Sequence, residues 1–257
     1  MEALLIDLGN TNIKLAYAQD SKIIHHAQIP TTKSLKTSDL TFALENLAQQ
    51  KPDFALICSV VPQLNDTIVS TIKSCFSCAH FFVPTMWPIP LNSAYKTPKT
   101  LGIDRLLAAY AASQIYPEYQ VKYIVDLGTA TTIDCVINDT FMGGLILPGP
   151  TTALKSLYEK TAQLPDLKFP TNLESFKLGQ STIECIEQGI FFSTIAQIEG
   201  LLARLKNLYP GSNITIGTGG LAQILANHTD IFQALNENLV LSGLAILSQH
   251  KPKNIAI

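Results

Sequence analysis

The chain has 257 residues, 47% of them hydrophobic and 15% charged, and a formal net charge of −2. Such a composition is typical of a globular chain with one or two buried cores, and the charge favours neither nucleic acid nor a membrane surface as a partner. Residues 1–7 lack the basic start and long apolar run of a signal peptide, and no run approaches the roughly 20 apolar residues of a membrane span. We therefore expect a cytoplasmic protein.

Short apolar runs and longer amphipathic runs alternate along the chain, which predicts a largely parallel sheet covered by helices. In chain order, the predicted strands lie at 4–8, 13–18, 54–61, 81–83, 123–127, 132–137, 143–149 and 213–216. The predicted helices lie at 35–50, 64–75, 104–115, 152–161 and 183–209, with one more after residue 220. The His25-His26 pair is interpreted as an exposed strand end.

A weak internal repeat relates residues 4–11 to residues 123–131. Each copy is typical of a buried strand that ends in Asp-Leu-Gly and turns into a second strand, as in a hairpin with glycine at the bend. The two copies begin 119 residues apart, which is too long a spacing for a solenoid. The repeat therefore predicts two similar α/β halves, 1–115 and 116–257.

The five cysteines are an odd number in a chain without an export signal, so we expect free thiols. Cys75, Cys78 and His80 form the one cluster with spacing suited to a metal ion. A closed zinc site normally needs a second pair of ligands, which the other cysteines do not supply. We interpret the cluster as structural thiols.

The first Asp-Leu-Gly turn contains groups that suit a phosphate. Gly9 lets the backbone approach phosphate oxygens, and the amides and side chains of Asn10 and Thr11 supply donors. Asp7 can position Mg²⁺ through water, and Lys14 can meet phosphate as a point charge. Taken alone, the segment favours an ordinary hairpin in which Asn-Thr is a good turn.

Two further glycine turns favour nucleotide binding. The second copy at 126–129 repeats the phosphate-holding pattern, and the backbone of the turn at 217–220 suits an adenine ring. Together, the three turns predict an ATP cleft between the two halves. The sequence has neither a Rossmann fingerprint nor a Walker loop. The glycine- and proline-rich segment 143–149 either shapes this cleft or is purely structural.

The best candidate for a catalytic group is Asp104. It lies where a loop meets a predicted helix, so capping of that helix is one interpretation. The other is that Asp104 accepts the proton of a substrate hydroxyl that attacks a phosphoryl group. Arg105 beside it can bind a carboxylate through two parallel hydrogen bonds.

Four motifs resemble those of the type III pantothenate kinases and occur in the same order. They are Asp-x-Gly-Asn-Thr at 7–11, Gly-x-Asp-Arg at 102–105, Asp-x-Gly-Thr-Ala-Thr-Thr at 126–132 and Gly-Gly-x-Ile-x-Pro-Gly at 143–149. Segments 59–62 and 161–165 support the match. The resemblance implies duplicated actin-like (ribonuclease H-like) domains with an ATP cleft between them. It also implies phosphoryl transfer from ATP to the 4′-hydroxyl of pantothenate, the first step of coenzyme A synthesis.

The resemblance also implies roles for individual residues. The ATP contacts would be Asp7, Leu8, Gly9, Asn10, Thr11, Asn12, Ile13, Lys14 and Thr129. The pantothenate contacts would be Tyr95, Gly102, Ile103, Asp104, Arg105 and Thr182, with Asp104 as proton acceptor and Thr182 supplied across a homodimer interface. Cys58 precedes the 59–62 motif and is expected to lie outside the chemistry.

The family uses Mg²⁺ with ATP and a monovalent cation, K⁺ or NH₄⁺. The resemblance makes Asp126 the ligand of the monovalent cation, whereas the internal repeat alone assigns Asp126 to Mg²⁺ or a water molecule.

Two other functions remain open at this point. A kinase of the same fold that acts on another small acid or sugar would share both Asp-x-Gly turns but not the Gly-x-Asp-Arg context. A nucleotide-binding regulatory protein would bind ATP without turnover. The presence of Asp104 and the absence of a basic composition disfavour that second alternative.

Overall fold

The computed structural model describes residues 1–32, 35–47 and 50–251. The strands are β1 (Glu2–Leu8), β2 (Asn12–Gln19), β3 (Lys22–Pro30), β4 (Phe54–Ser59), β5 (Ala79–Phe82), β6 (Asn92–Ser93), β7 (Val121–Leu127), β8 (Ala130–Ile137), β9 (Thr140–Pro148), β10 (Asn213–Thr218) and β11 (Ala234–Leu235). The helices are α1 (Thr37–Leu47), α2 (Asn65–Phe76), α3 (Ile103–Ile115), α4 (Pro150–Lys160), α5 (Thr182–Leu208), α6 (Ala222–Ala226) and α7 (Leu239–Leu247). Short 3₁₀ turns lie at Pro62–Leu64 and Pro98–Thr100.

The predicted helices and strands are confirmed with ends that shift by a few residues. The helix predicted at 35–50 is α1, and residues 48 and 49 lie outside the described residues. The prediction missed β3 as a full strand, in which His25 and His26 are both exposed. Most side chains of this strand face solvent, so the apolar alternation that marks a half-buried strand is weak.

The chain divides into two compact units. Unit 1 consists of residues 1–115 together with the segment that begins at Asn238, and unit 2 consists of Tyr116–Glu237. The strands of unit 1 lie in the order β3-β2-β1-β4-β5, and those of unit 2 include the order β9-β8-β7-β10-β11. In both units the first three strands form antiparallel pairs and the last two add in parallel. The two units therefore repeat one topology.

The repeat extends to single residues. β7 has the bounds of β1 shifted by 119 residues, whereas β8 and β9 have the bounds of β2 and β3 shifted by 118. The one-residue change arises because the turn after β7 is one residue shorter than the turn after β1. The register irregularity between Tyr17 and Ala18 has its counterpart, 118 residues later, between Cys135 and Val136. This correspondence is the structural form of the duplication predicted from the sequence.

The sheet of unit 1 is apolar on both faces. On one face, side chains such as Ile6 and Ile57 join a buried cluster with α1 and α2. The side chains that alternate with them, including Asp7 and Cys58, lie on the other face, where α3 packs on β4 and α7 packs on β1. α3 and α7 pack closely, since a Cβ on Gly243 would lie 2.6 Å from the Leu107 carbonyl oxygen.

The sheet of unit 2 buries one face against α5 and α6. Tyr123 and Val125 of β7 meet Phe191 and Ile195 of α5 in this core. The Tyr123 hydroxyl donates to the Leu205 carbonyl oxygen at 3.1 Å, so its polar end is satisfied inside the core.

The position of α7 differs from the division predicted from the repeat. The sequence assigned everything from residue 116 to the second half, and α7 is the next α-helix after β11, as α3 is the next α-helix after β5. Its packing nevertheless assigns it to unit 1, because its apolar residues are buried against α3 and β1. The boundaries 1–115 and 116–257 therefore describe the sequence repeat. As a division into domains, they stay a prediction.

Within the described residues, no helix combines the length and apolar character needed to cross a membrane. Those residues also contain no group of three or more histidine, cysteine or acidic side chains arranged to hold a metal ion.

Candidate active site

The first Asp-Leu-Gly turn joins β1 to β2 and is held by the residue that follows β3. The Gly9 backbone N–H donates to the Asn12 carbonyl oxygen at 3.1 Å, which closes the turn. Thr31 donates to the turn twice, from its hydroxyl to the Gly9 carbonyl oxygen at 2.7 Å and from its N–H to the Thr11 carbonyl oxygen at 2.8 Å. With these carbonyl groups bonded to Thr31, the exposed tip formed by Asn10 and Thr11 has a defined conformation.

Asp7 lies at the carboxyl end of β1 between two neighbours in the sheet. It is opposite Lys14 on β2 and beside Cys58 on β4. The Cys58 thiol is fully buried and donates a hydrogen bond to the Asp7 carboxylate. Burial raises the pKa of this thiol well above its ordinary value, and the carboxylates of Asp7 and Asp104 raise it further. Cys58 was expected to lie outside the chemistry, and the parallel register brings it into contact with Asp7, a predicted ATP-binding residue.

Asp104 lies in the first turn of α3, one residue inside the helix. Its Oδ1 accepts a hydrogen bond from the Arg105 backbone N–H at 2.8 Å, so the carboxylate satisfies one of the free donors of the helix start. A Cβ on Gly102 would lie 2.5 Å from Asp104 Oδ1, which explains why glycine precedes this helix. Capping and chemistry are compatible here, because a carboxylate has acceptor sites besides the one used by Arg105.

A cavity of about 520 Å³ adjoins the start of α3. Gly102 and Ile103, both predicted substrate contacts, lie on its wall. Ser59, at the end of β4, and Val60, which follows it in the segment 59–62, also line the cavity. Tyr95, another predicted contact, is half-buried, and its backbone N–H donates to Ser93 Oγ at 3.2 Å.

The second Asp-Leu-Gly turn joins β7 to β8 and is covered by the residues after β9. The Gly149 N–H donates to the Thr129 carbonyl oxygen at 3.1 Å, and the Thr152 hydroxyl donates to the same oxygen at 2.6 Å. A Cβ on Gly149 would overlap the carbonyl oxygens of Gly128 and Thr129. Glycine is therefore required at the Pro-Gly end of segment 143–149, because the backbone there contacts this turn closely. Thr129 itself is exposed.

The third glycine-rich turn follows β10 and packs on Asp126. Thr218 and Asp126 are neighbours across the parallel β10–β7 pair. Gly219 has a φ of +84°, and a Cβ there would overlap Asp126 Oδ1 and approach the Leu127 backbone. Two of the three predicted glycine turns thus meet within unit 2, with the half-buried Asp126 carboxylate between them.

Thr182 is the first residue of α5 and is exposed. Ser181 caps the helix by accepting from the Glu184 N–H at 3.3 Å, and the Glu184 carboxylate accepts from the Gln180 N–H at 2.7 Å. Thr182 also lies on the wall of a cavity of about 690 Å³ in unit 2. The capped helix start thus fixes the backbone at Thr182.

The predicted residues therefore form two groups, each defined inside one unit. Asp7, Cys58 and Asp104 come together in unit 1, and Asp126, Gly149 and Gly219 come together in unit 2. Sequence reasoning missed Thr31 and the role of Cys58. The only available signal for Cys58 was its place beside the 59–62 motif, whereas Thr31 lies outside every motif.

Known proteins of one family are similar to this chain over most of its length. The family model for type III pantothenate kinases matches residues 3–204. A type III pantothenate kinase of Desulfovibrio desulfuricans is 36% identical over 249 residues, which cover 95% of each chain. One from Halalkalibacterium halodurans is 29% identical over 252 residues, which cover 95% of this chain and 97% of the relative.

Solved structures share the fold at lower identity. A crystal structure from Campylobacter jejuni, described as a Baf family transcriptional activator, has a TM-score of 0.61 at 22% identity and covers 96% of this chain and 98% of its own. The ROK hexokinase of Thermus thermophilus has a TM-score of 0.51 at 14% identity, covering 98% and 100%. The activator of a Clostridium difficile dehydratase, with bound ADPNP, has a TM-score of 0.51 at 13% identity and covers both chains fully.

These neighbours confirm the duplicated, actin-like α/β fold that the family resemblance implies. The family match runs through all four motifs, and the structure brings their glycines and carboxylates into ordered turns. On this combined ground, the chain belongs to the type III pantothenate kinase family.

Proposed function

We propose that this chain transfers the γ-phosphoryl group of ATP to the 4′-hydroxyl of pantothenate, the first step of coenzyme A biosynthesis. The observation that carries the proposal is the Asp104 carboxylate at the start of α3, next to a cavity and close to Asp7. Phosphoryl transfer to an alcohol requires a group that orients and deprotonates the hydroxyl, together with charge stabilisation around the phosphate. Because ATP is an intracellular substrate, we assign this reaction to the cytoplasm.

Asp104 acts as the proton acceptor. As the bond from the 4′-oxygen to the γ-phosphorus forms, the bond from that phosphorus to the β,γ-bridging oxygen breaks and ADP leaves. The hydroxyl proton passes to the Asp104 carboxylate. The Arg105 N–H bonded to Oδ1 holds this carboxylate in one orientation, so that its other oxygen can face the hydroxyl.

The ATP phosphates bind at the first turn, from Asp7 through Lys14, and at Thr129. Turn amides and the Lys14 ammonium supply the donors and the positive charge. Asp7 fits a role with Mg²⁺, because its half-buried carboxylate lies at the carboxyl end of β1, next to the phosphate turn, and Mg²⁺ prefers oxygen ligands. Mg²⁺ held there would neutralise charge on the ATP phosphates. The alternative, in which Asp126 holds Mg²⁺, is based only on the internal repeat.

Asp126 fits a monovalent cation, K⁺ or NH₄⁺, because the Gly219 turn brings backbone against its carboxylate and carbonyl oxygens suit such ions. We expect kcat to fall when Na⁺ replaces K⁺ in the wild type. In Asp126→Asn the two salts should give the same low rate. Equal wild-type rates in Na⁺ and K⁺ would remove this role from Asp126.

Tyr95, Gly102, Ile103 and Arg105 contact pantothenate, and Thr182 of one protomer completes the site of its partner in a homodimer. Mixing two inactive variants tests the shared site. We expect about a quarter of wild-type activity when the Asp104→Asn and Thr182→Ala proteins are mixed and allowed to exchange subunits, if each site takes one residue from each protomer. Half of the dimers would then be mixed, and each mixed dimer would have one intact site. Activity that stays at the level of the separate variants would show that the residues act within one chain.

The experiment that tests the overall function is mass spectrometry of reactions with MgATP, K⁺ and either pantothenate or a panel of sugars and short acids. A product heavier by one phosphoryl group from pantothenate alone is the expected result. Phosphorylation of a different panel member would change the substrate while keeping the kinase activity. Binding of ATP with no turnover of any compound would favour a regulatory protein.

A further inference from the structure

A hydrogen-bonded pair at the end of β4 has no role in the mechanism above. The Ser59 hydroxyl donates to Asn65 Oδ1 at 2.6 Å, and the Val61 backbone N–H donates to Ser59 Oγ at 3.3 Å. The Ser59 hydroxyl therefore accepts from Val61 and gives its one proton to the bond with Asn65. The Asn65 amide must then present its oxygen to Ser59, and its nitrogen points away.

The Asn65 nitrogen is left as a donor at the cavity wall. Ser59 and Asn65 both line the 520 Å³ cavity that Gly102 and Ile103 also line. Among the residues that the structure describes, Nδ2 of the half-buried Asn65 has no hydrogen-bond partner. A donor held in one orientation at a cavity wall is suited to an acceptor on a ligand. A ligand that covered this N–H without accepting from it would bind less tightly, because burial of an unpaired donor is unfavourable.

The rest of the cavity wall defines which part of a substrate fits. Of the described residues that line this wall, none has a charged side chain, so a carboxylate placed there would be uncompensated. The other lining residues are mainly apolar, and they are Val60, Phe82, Val83, Pro84, Thr85, Met86 and Leu101. Pantothenate has such a part, since its geminal dimethyl group and its neutral amide lie between the 4′-hydroxyl and the carboxylate.

We propose that Asn65 Nδ2 donates a hydrogen bond to the amide carbonyl oxygen of pantothenate, and that Ser59 is the positioning residue that holds the Asn65 amide for this bond. The inference rests on the proposed function and names how its substrate is recognised. The geminal dimethyl group then packs on the apolar wall, and the 4′-hydroxyl is left to reach Asp104.

The first test is Asn65→Asp, which has the same shape and keeps an oxygen for Ser59 but has no N–H. We expect KM for pantothenate to rise about 10- to 100-fold, with kcat and KM for ATP within about threefold of wild type. The variant should fold, because Asn65 begins α2 and an acidic side chain is favourable at a helix start. Ser59→Ala should give a smaller rise in KM. Asn46→Ala, at an exposed site in α1, is the matched control and should change neither constant.

A substrate analogue identifies the acceptor atom. Replacing the amide carbonyl oxygen of pantothenate by sulfur, a weak acceptor, should raise KM about 10-fold for wild type but less than threefold for Asn65→Asp. A second analogue has an alcohol in place of the carboxylate. The assignment to the amide would be overturned if Asn65→Asp still raised KM for the thioamide but no longer raised KM for this alcohol analogue. Unchanged KM in Asn65→Asp would overturn the inference alone. A wild type that does not phosphorylate pantothenate would instead overturn the proposed function.

Discussion

The Asp7 carboxylate accepts a hydrogen bond from the Cys58 thiol, its neighbour across the parallel β1–β4 pair. The thiol is fully buried, and the Asp104 carboxylate acts on it as well. The neutral Cys58 thiol thus lies near two carboxylates with different proposed roles, Asp7 at the ATP phosphates and Asp104 as proton acceptor. Because the raised pKa keeps the thiol protonated, Cys58 supplies a hydrogen bond to Asp7 without adding a third negative charge.

The two substitutions of Cys58 should therefore differ. Cys58→Ser keeps a donor, so KM for MgATP should stay within about threefold of wild type. Cys58→Ala removes the donor and leaves a small void, and we expect a several-fold higher KM for MgATP and about 1–2 kcal/mol lower stability. Steady-state kinetics and thermal unfolding measure both effects. Equal kinetics for Ser and Ala would show that the hydrogen bond does not position Asp7.

Asp104→Asn should lower kcat by about 10²- to 10⁴-fold, because it removes the proton acceptor. The asparagine oxygen can still accept from the Arg105 N–H, so the helix start and the melting temperature should be preserved. Rapid-quench measurement of a single turnover separates the chemical step from product release. A rate near that of the wild type would mean that another group takes the proton.

Gly149→Ala should weaken ATP binding by displacing the second phosphate turn. The added methyl group would overlap backbone carbonyl oxygens of Gly128 and Thr129, and backbone cannot move aside as a flexible side chain can. We expect a loss of about 1–3 kcal/mol in stability and at least a several-fold higher Kd for ATP by calorimetry.

Gly200→Ala is the matched control for that substitution. Gly200 lies in α5 with open space where its Cβ would be, so alanine should stabilise the helix by about 0.5–1 kcal/mol and leave ATP binding unchanged. If both variants bound ATP as the wild type does, Gly149 would have no part in holding the turn.

Stability should decline as the pH rises from 10 to 12. Burial raises the pKa of Tyr110 and of Tyr123 from 10.0 to about 12, whereas both titrate near 10 in the unfolded chain. The folded state therefore binds these protons more tightly, and its advantage is complete below pH 10 and is lost between 10 and 12. Denaturant unfolding across this pH range measures the slope.

Tyr110→Phe separates one contribution. The Tyr110 hydroxyl is buried and makes no hydrogen bond within the described residues, so its removal should be neutral or stabilising by about 1 kcal/mol at pH 8. It should also make the alkaline slope shallower. A slope identical to that of the wild type would show that Tyr110 already ionises in the folded state.

Local patterns were sufficient to predict much of the fold. The hairpins around Gly9 and Gly128 combine a buried apolar run, an Asp-Leu-Gly turn and a second strand, and all three signals lie within about 15 residues. The repeat of that pattern was enough to predict two related halves. The start of α3 was also readable, because Gly102 and Asp104 are typical of a loop that enters a helix.

Features that depend on distant parts of the chain were not readable. Asp7 and Cys58 are 51 residues apart and become neighbours through strand register, which a single sequence does not reveal. The contact between Ser59 and Asn65 depends on the 3₁₀ turn at Pro62–Leu64 that reverses the chain between them. The packing of α7 in unit 1 depends on Gly243, which by sequence alone is only a weak point in an apolar helix.

The position of α7 determines the order in which this protein can be completed during synthesis. Unit 1 needs α7 beside α3 and β1, yet α7 leaves the ribosome only after all of unit 2 has been made. Until α7 is synthesised, one face of the sheet in the first 115 residues is therefore incompletely covered. Tyr116–Glu237, in contrast, form unit 2 from one contiguous segment. Translation of the second half thus precedes completion of the first, and a nascent chain that stalls before Leu239 exposes apolar surface to chaperones and proteases.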